Sequence, residues 1–247
     1  MQDKITGINA VNEALQGGRK VEMVYLLEGQ EGQRLQAIKE EAIRHRVAVK
    51  FLKRERLDQM AGNNHHQGVI ALVEAYPYAS LEDALALAAH RTETPFIVIL
   101  DGIEDPHNLG AIIRTAECAG VHGIIIPKHH AAEITPAVGR ASAGAVEHML
   151  VIKATNLVNT IKELKEQGFW IVGADMEGLN DYYDCAIPTP TALVIGSEGK
   201  GIRRLVKEHC DLLLRIPLYG RVNSLNASVA GALLIYEVIR QKGVSGK

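Results

Sequence analysis

The chain is poor in cysteine. Its three, Cys118, Cys185 and Cys210, are too scattered for a disulfide framework and stand at no metal-ligand spacing. Cys118 and Cys210 read as core or near-core thiols. No apolar run approaches the roughly 20 residues of a membrane span. The opening MQDKITGINAV lacks the basic-then-apolar form of a secretory signal. A reducing, cytoplasmic setting without membrane association is therefore expected. A large excess of either charge is absent too: the net charge of −2 argues against a protein that coats nucleic acid indiscriminately. The pairs His65–His66 and His129–His130 lack carboxylate or Cys partners at ligand spacing, so they take surface or turn roles and no metal is expected.

The charge balance hides a local excess. Between Arg34 and Arg56 stand eight Lys or Arg (Arg34, Lys39, Arg44, Arg46, Lys50, Lys53, Arg54, Arg56) against three Glu. Composition alone leaves two readings open, a solvated helical face or a phosphate-contacting surface.

A length of 247 residues allows one large domain or two. Residues 1–75 alternate as a small α/β unit, with helices at 8–15 and 34–45, strands at 21–27, 47–52 and 68–75, and a short helix ending at Gly62. A Pro-bearing connector follows, then a helix capped by Ser80, so a boundary is expected within 76–94. From Pro95 the pattern repeats on a larger scale. Apolar strands at 96–100, 123–127, 169–174, 191–196 and 211–217 are mostly separated by helices, at 109–119, 156–167, 201–208 and 225–241. Continuous apolar strands alternating with helices imply a parallel sheet covered on both faces, with ligands at the carboxyl ends of its strands.

Three polar stretches follow such ends. In DGIEDPHNLGAIIRTAECAG (101–120) a helix is expected to begin near Asn108, and Arg114 lies close enough in sequence for both to approach a site at its N-terminal end. The bland reading is a capping Asn and a surface Arg. In GSEGKG (196–201) three glycines let the backbone approach a ligand closely. Neither the GxxxxGK[ST] spacing nor the GxGxxG order is present, which weighs against nucleotide-dependent oxidoreductase chemistry. Glu198 suits orienting an Arg or tolerating a cationic ligand. In IPLYGRVNSLNASVA (216–230) one polar residue suffices to cap the last helix, and the other Asn and Ser are expected to face a ligand.

These stretches resemble the SpoU (TrmH-like) branch of the SPOUT RNA ribose 2′-O-methyltransferases. The family's NxGxxxRxA is matched by Asn108, Gly110, Arg114 and Ala116, and its GxEGxG by Gly196, Glu198, Gly199 and Gly201. Its Pro-bearing strand followed by SLNxSxA is matched by Ile216, Pro217, Ser224, Leu225, Asn226, Ser228 and Ala230. The likeness covers Phe96 to about Gln241, within a domain drawn at 95–247. The segments GINAVNEAL and HHQGVIALV look like the L30e/L7Ae-like substrate-binding domain that precedes it in some members. DPHNLGA and AGVHGIIIPK are most like the branch that methylates a guanosine ribose in 23S ribosomal RNA.

The resemblance implies an α/β fold with a trefoil-knotted parallel-sheet domain, an S-adenosylmethionine pocket in the knot and a homodimer. It assigns Gly196, Ile216 and Leu225 to the cofactor, and Asn108, Arg114, Glu198 and Asn226 to catalysis, Arg114 being held by Glu198. A guanidinium above pKa ~12 is a poor base, so Arg114 is read as a clamp on the neighbouring phosphate and a stabiliser of alkoxide charge. RNA, as rRNA or an assembly intermediate, would be held through Arg44, Arg46 and Arg54. A tRNA target, another rRNA site, or a non-catalytic assembly factor of the same fold stay open.

Overall fold

The computed structural model describes residues 2–16, 20–29, 32–62 and 66–243, with the Gln2 side chain left out. The first elements are β1 (Gln2–Thr6), α1 (Ile8–Gln16), β2 (Val21–Leu27), α2 (Gln33–Arg44), β3 (Ala48–Leu52), α3 (Arg54–Ala61) and β4 (Val69–Glu74). Next come α4 (Leu81–Arg91), β5 (Phe96–Asp101), α5 (Pro106–Cys118), β6 (Gly123–Pro127) and α6 (Pro136–Ala141). The remainder is β7 (Val151–Ala154), α7 (Leu157–Glu166), β8 (Trp170–Ala174), β9 (Asn180–Asp181), β10 (Thr191–Gly196), α8 (Arg204–Lys207), β11 (Leu212–Arg215) and α9 (Ala227–Lys242). Two compact units result, Met1–Pro77 with Glu133–His148, and Tyr78–Ala132 with Met149–Lys247. The helix expected in a linker thus lies in the second unit, and 133–148, expected in the second, folds with the first.

In the first unit the sheet runs β1-β4-β2-β3, with β3 parallel to β2 and the other pairs antiparallel. Val11, Ala14 and Leu15 of α1, with Leu35, Ile38 and Ala42 of α2, bury against Val24, Leu26 and Ala71. Helix α2 ends with Val47 N donating to Ala42 O (2.8 Å) and Arg46 N donating to Ile43 O (2.9 Å). This is a Schellman turn, and its left-handed position, usually Gly, is held by Arg46 at φ 58°. His66 is buried, its Nδ1 accepting from Gly68 N (3.0 Å) and its Nε2 bonded to Asp58 (2.9 Å). Its neighbour His65 lies outside the described residues.

The second unit holds a seven-stranded, all-parallel sheet in the order β7-β6-β5-β10-β8-β11-β9. Every residue of β5 and β6 is buried, as a sheet covered on both faces requires. Ser80 caps α4 in a reciprocal box with Asp83. From β5 the chain steps to β6 on one side and meets β10 on the other, so β5 and β10 flank the switch point where such sheets bind ligands. Their carboxyl ends carry the 101–120 and 196–201 stretches. Helix α9 packs on α5 and β10. Gly231 permits this: a Cβ there would stand 3.0 Å from Ile195 Cδ1.

Two thiols divide. Cys210 packs against the sheet core and burial pushes it up to about 12. Cys118 is exposed at the end of α5, contrary to the core reading, because the helix's buried stripe runs through Ile112, Ile113 and Ala116.

Candidate active site

Helix α5 starts earlier than the sequence suggested. Asp105 is its cap, accepting from His107 N (3.1 Å), and Pro106 occupies the first turn. Asn108 is therefore not a cap. Its side chain is available for another partner.

That partner is the cap of α9. Asn226 Oδ1 accepts from Ser228 N (2.9 Å), Ser228 Oγ (2.6 Å) and Val229 N (3.4 Å). Its Nδ2 donates to Asn108 Oδ1 (2.8 Å) and Glu198 Oε2 (3.4 Å). One side chain thus joins three stretches, reaching 118 residues back to Asn108 and 28 to Glu198. The capping residue that any helix needs is here also the hub of the polar cluster. Of the remaining polar residues at this helix start, Ser228 supports the hub, while Asn223 and Ser224 line the adjoining cavity.

The glycine loop is fixed by its own backbone. Ser197 N donates to Gly201 O (3.1 Å) and Gly201 N to Ser197 O (2.9 Å). A side chain on Gly196 would collide with the Gly201 and Ile202 backbone, its Cβ 2.5 Å from Gly201 O. Behind the loop, the buried Asp101 accepts from Arg203 Nε (2.6 Å) and Arg203 N (2.7 Å), tying the end of β5 to the start of α8. This tie holds 197–203 as a loop, so α8 is shorter than the 201–208 expected. An acid closing an all-apolar strand was the available signal for Asp101.

Gly196, Ile216 and Leu225 meet around one cavity of about 550 Å3, with Leu218, Ala174 and Ala230 adding apolar wall. Its polar side carries Asp175, Glu177, Glu198, Lys200 and Lys207. Lys207 Nζ donates to Asp175 (2.8 Å) and Glu177 (2.6 Å), and those bonds raise its pKa. Asp175 and Glu177 belong to no motif; they follow β8 in chain order and reach the cavity through the fold.

Arg114 stands apart. It is exposed on α5, and its side chain makes no hydrogen bond or ion pair among the described residues. Glu198, expected to hold it, bonds Asn226 instead. In the first unit Arg44, Arg46 and Arg54 are all exposed; Arg44 is bonded to Glu41 (2.7 Å), and the side chains of the other two have no partner among the described residues. No group of three or more His, Cys, Asp or Glu among the described residues is placed to hold a metal ion. No helix among them is long and apolar enough to cross a membrane.

Residues 95–236 match the SpoU rRNA Methylase family, and residues 4–79 match the RNA 2′-O ribose methyltransferase substrate-binding family. YacO of Bacillus subtilis, assigned to the TrmH family of tRNA/rRNA methyltransferases, is 46% identical over 99% of this chain and 98% of its own. A Staphylococcus haemolyticus protein with the same assignment is 44% identical over 96% of this chain and 95% of its own. The AdoMet-bound rRNA methyltransferase from Sinorhizobium meliloti superposes with a TM-score of 0.79 at 25% identity, covering 99% of this chain and 88% of that one. AviRb from Streptomyces viridochromogenes, solved with AdoMet, shares the fold with a TM-score of 0.81 at 24% identity, over 98% and 90%. A catalytic-domain match over more than half the chain, with full-length relatives above 40% identity, settles the family: the chain belongs to the SpoU (TrmH) family of RNA methyltransferases.

Proposed function

We propose that the chain methylates a ribose 2′-hydroxyl of RNA with S-adenosylmethionine, the target favoured by its sequence being a guanosine of 23S ribosomal RNA, free or in an assembly intermediate. The observation that carries the reading is the meeting of Asn108, Glu198 and Asn226 beside the cavity lined by Gly196, Ile216 and Leu225.

The cavity suits this cofactor. Its volume lies within the roughly 300–1,000 Å3 of small-molecule sites. Ile216, Leu218 and Leu225 offer apolar walls for a flat ring, and the bare backbone at Gly196 offers hydrogen-bonding edges. Asp175, Glu177 and Glu198 suit a ligand bearing positive charge. The bound cofactor supplies an already activated methyl group.

The protein's own task is to position the ribose oxygen and compensate its charge. Asn226, locked by its three cap donors, presents a fixed polar edge together with Asn108. Arg114 clamps the adjacent phosphate and stabilises charge developing on the 2′-oxygen, while phosphate or water takes the proton.

The same reading includes a trefoil-knotted path and a homodimer. The return of 216–226 to the β10 side, with α9 against α5, supports the first. For the second, Val229, Leu233 and Tyr236 form an exposed apolar stripe at i, i+4 and i+7 on α9, beside exposed Tyr219 and Val222. A cytoplasmic setting goes with the RNA substrate.

Mapping ribose methylations in RNA from cells with and without the gene tests the target. Loss of one 23S guanosine methylation supports it, and loss of a tRNA methylation moves it. In a labelled-methyl assay Arg114→Ala is expected to lose about 100- to 1000-fold in turnover while binding cofactor normally. Normal turnover by that variant removes Arg114 from the mechanism.

A further inference from the structure

Phe51 is out of place for a structural residue. Of the three phenylalanines, Phe96 and Phe169 are 1% and 4% exposed, whereas Phe51 is 52% exposed. It lies on β3, an edge strand of the first unit's sheet, in register with the buried Leu26. That register directs it to the face covered by α2, where the Lys39 ammonium sits 5.6 Å from the ring centroid. Ile43, one turn further along α2, is exposed as well. Lys53 and Arg54 follow the strand end, their side chains exposed and without hydrogen-bond or ion-pair partners among the described residues.

Lysines on an edge strand commonly blunt sheet-to-sheet pairing and need no ligand. They leave the ring unexplained, since a half-exposed Phe adds the stickiness that edge lysines suppress. Between Arg34 and Arg56 the eight Lys and Arg against three Glu make the surroundings of this ring strongly cationic. A polyanion carrying flat apolar faces complements both features, and single-stranded RNA is such a molecule.

We propose that Phe51, with Lys39 over it, is a stacking platform for an unpaired base of the RNA substrate, flanking phosphates lying on Lys53 and Arg54. The proposal rests on the RNA-substrate reading above and adds the means by which the first unit grips a splayed loop.

The test is fluorescence anisotropy of the full chain with a single-stranded RNA oligonucleotide at several salt concentrations. Phe51→Ala is expected to weaken binding about 5- to 100-fold with the log–log salt slope unchanged, because stacking releases no counterions. Phe51→Trp should bind within about twofold of the wild type. Phe51→Leu, which keeps apolar bulk for folding, should behave as Phe51→Ala. Lys53→Ala should lower the slope by about 0.7. Unchanged affinity in Phe51→Ala and Phe51→Leu, the result for a face that instead takes a protein strand, overturns the platform while leaving the RNA reading intact. A slope that falls with Phe51→Ala overturns it equally. Wild-type protein that binds no RNA removes the reading beneath both.

Discussion

The sharpest test of the proposed cofactor cavity is Gly196→Ala. The added methyl would meet backbone atoms of Gly201 and Ile202, not the end of a side chain that can swing aside. Accommodating it means moving that backbone, and with it the two hydrogen bonds between Ser197 and Gly201. Each is worth about 1 kcal/mol net, and forcing a methylene into a packed site costs about 1–3 kcal/mol. Some of this strain relaxes when the loop opens, so about 3 kcal/mol is a reasonable sum. The Asp101–Arg203 tie, beginning at the residue after Ile202, anchors the far side of the disturbed turn and holds α8 in place. The damage should therefore fall on the cavity. At 1.4 kcal/mol per decade, S-adenosylmethionine affinity should drop about 100-fold, measured by titration calorimetry. Gly199→Ala is the control: its φ of 79° disfavours a side chain, yet its Cβ would touch nothing within 4 Å. It should lose about 1–2 kcal/mol through its left-handed backbone alone. A Gly196→Ala protein binding cofactor within about threefold of wild type would refute the close-packed loop as the cavity's determinant.

Asn226→Asp keeps the capping oxygen but turns the Nδ2 donor into an acceptor facing Asn108 Oδ1 and Glu198; turnover should fall at least tenfold with little change in thermal midpoint. Asn226→Ala should lose the cap too, about 1 kcal/mol by urea denaturation, and equal turnover in both variants and the wild type would dismiss the hub. Arg46→Gly should stabilise the first unit by about 1 kcal/mol, since Gly takes the left-handed turn freely, and should weaken RNA binding. Unaltered RNA affinity would mark Arg46 as a bystander. Burial holds the His122 imidazole below its ordinary value, against the pull of Glu93, while Nδ1 accepts from Phe96 N (3.1 Å). The unfolded chain then takes the proton first, so His122 supports stability above about pH 6.5 and that support drains away as pH falls. Chemical denaturation between pH 5 and 7 should show a shallower slope in His122→Asn; an equal slope assigns the pH dependence to other groups.

Most of the sheet was legible because β5 and β6 are buried on both faces and therefore read as unbroken apolar runs. β1 escaped: QDKIT is an edge strand paired only with β4, with few residues needing to be apolar. The motif residues came through motif chemistry, and the fold then joined Asn108, Glu198 and Asn226 as an amide cluster. Periodicity could not show that Asp105 would take the cap of α5, or that Asn226 would take the cap of α9 and still face Asn108. Both outcomes depend on where two helices begin in space. Asp175, Glu177 and the Asp101–Arg203 tie were invisible for a related reason: each matters through a partner far away in the chain.

The cluster and the cation differ in kind, and the difference bears on mechanism. Asn226 is over-determined, its oxygen held by three donors and its nitrogen shared between two acceptors. Arg114 is held by nothing among the described residues. Had Glu198 paired with Arg114, the carboxylate would have cancelled much of the charge that a phosphate and a developing alkoxide require. With Glu198 on Asn226, the guanidinium keeps its full attraction for an anion. On the proposed mechanism the substrate's own phosphate then completes the site, drawing Arg114 into position when RNA is bound. Charge compensation is thereby tied to the presence of the correct backbone, while the amide edge waits preformed.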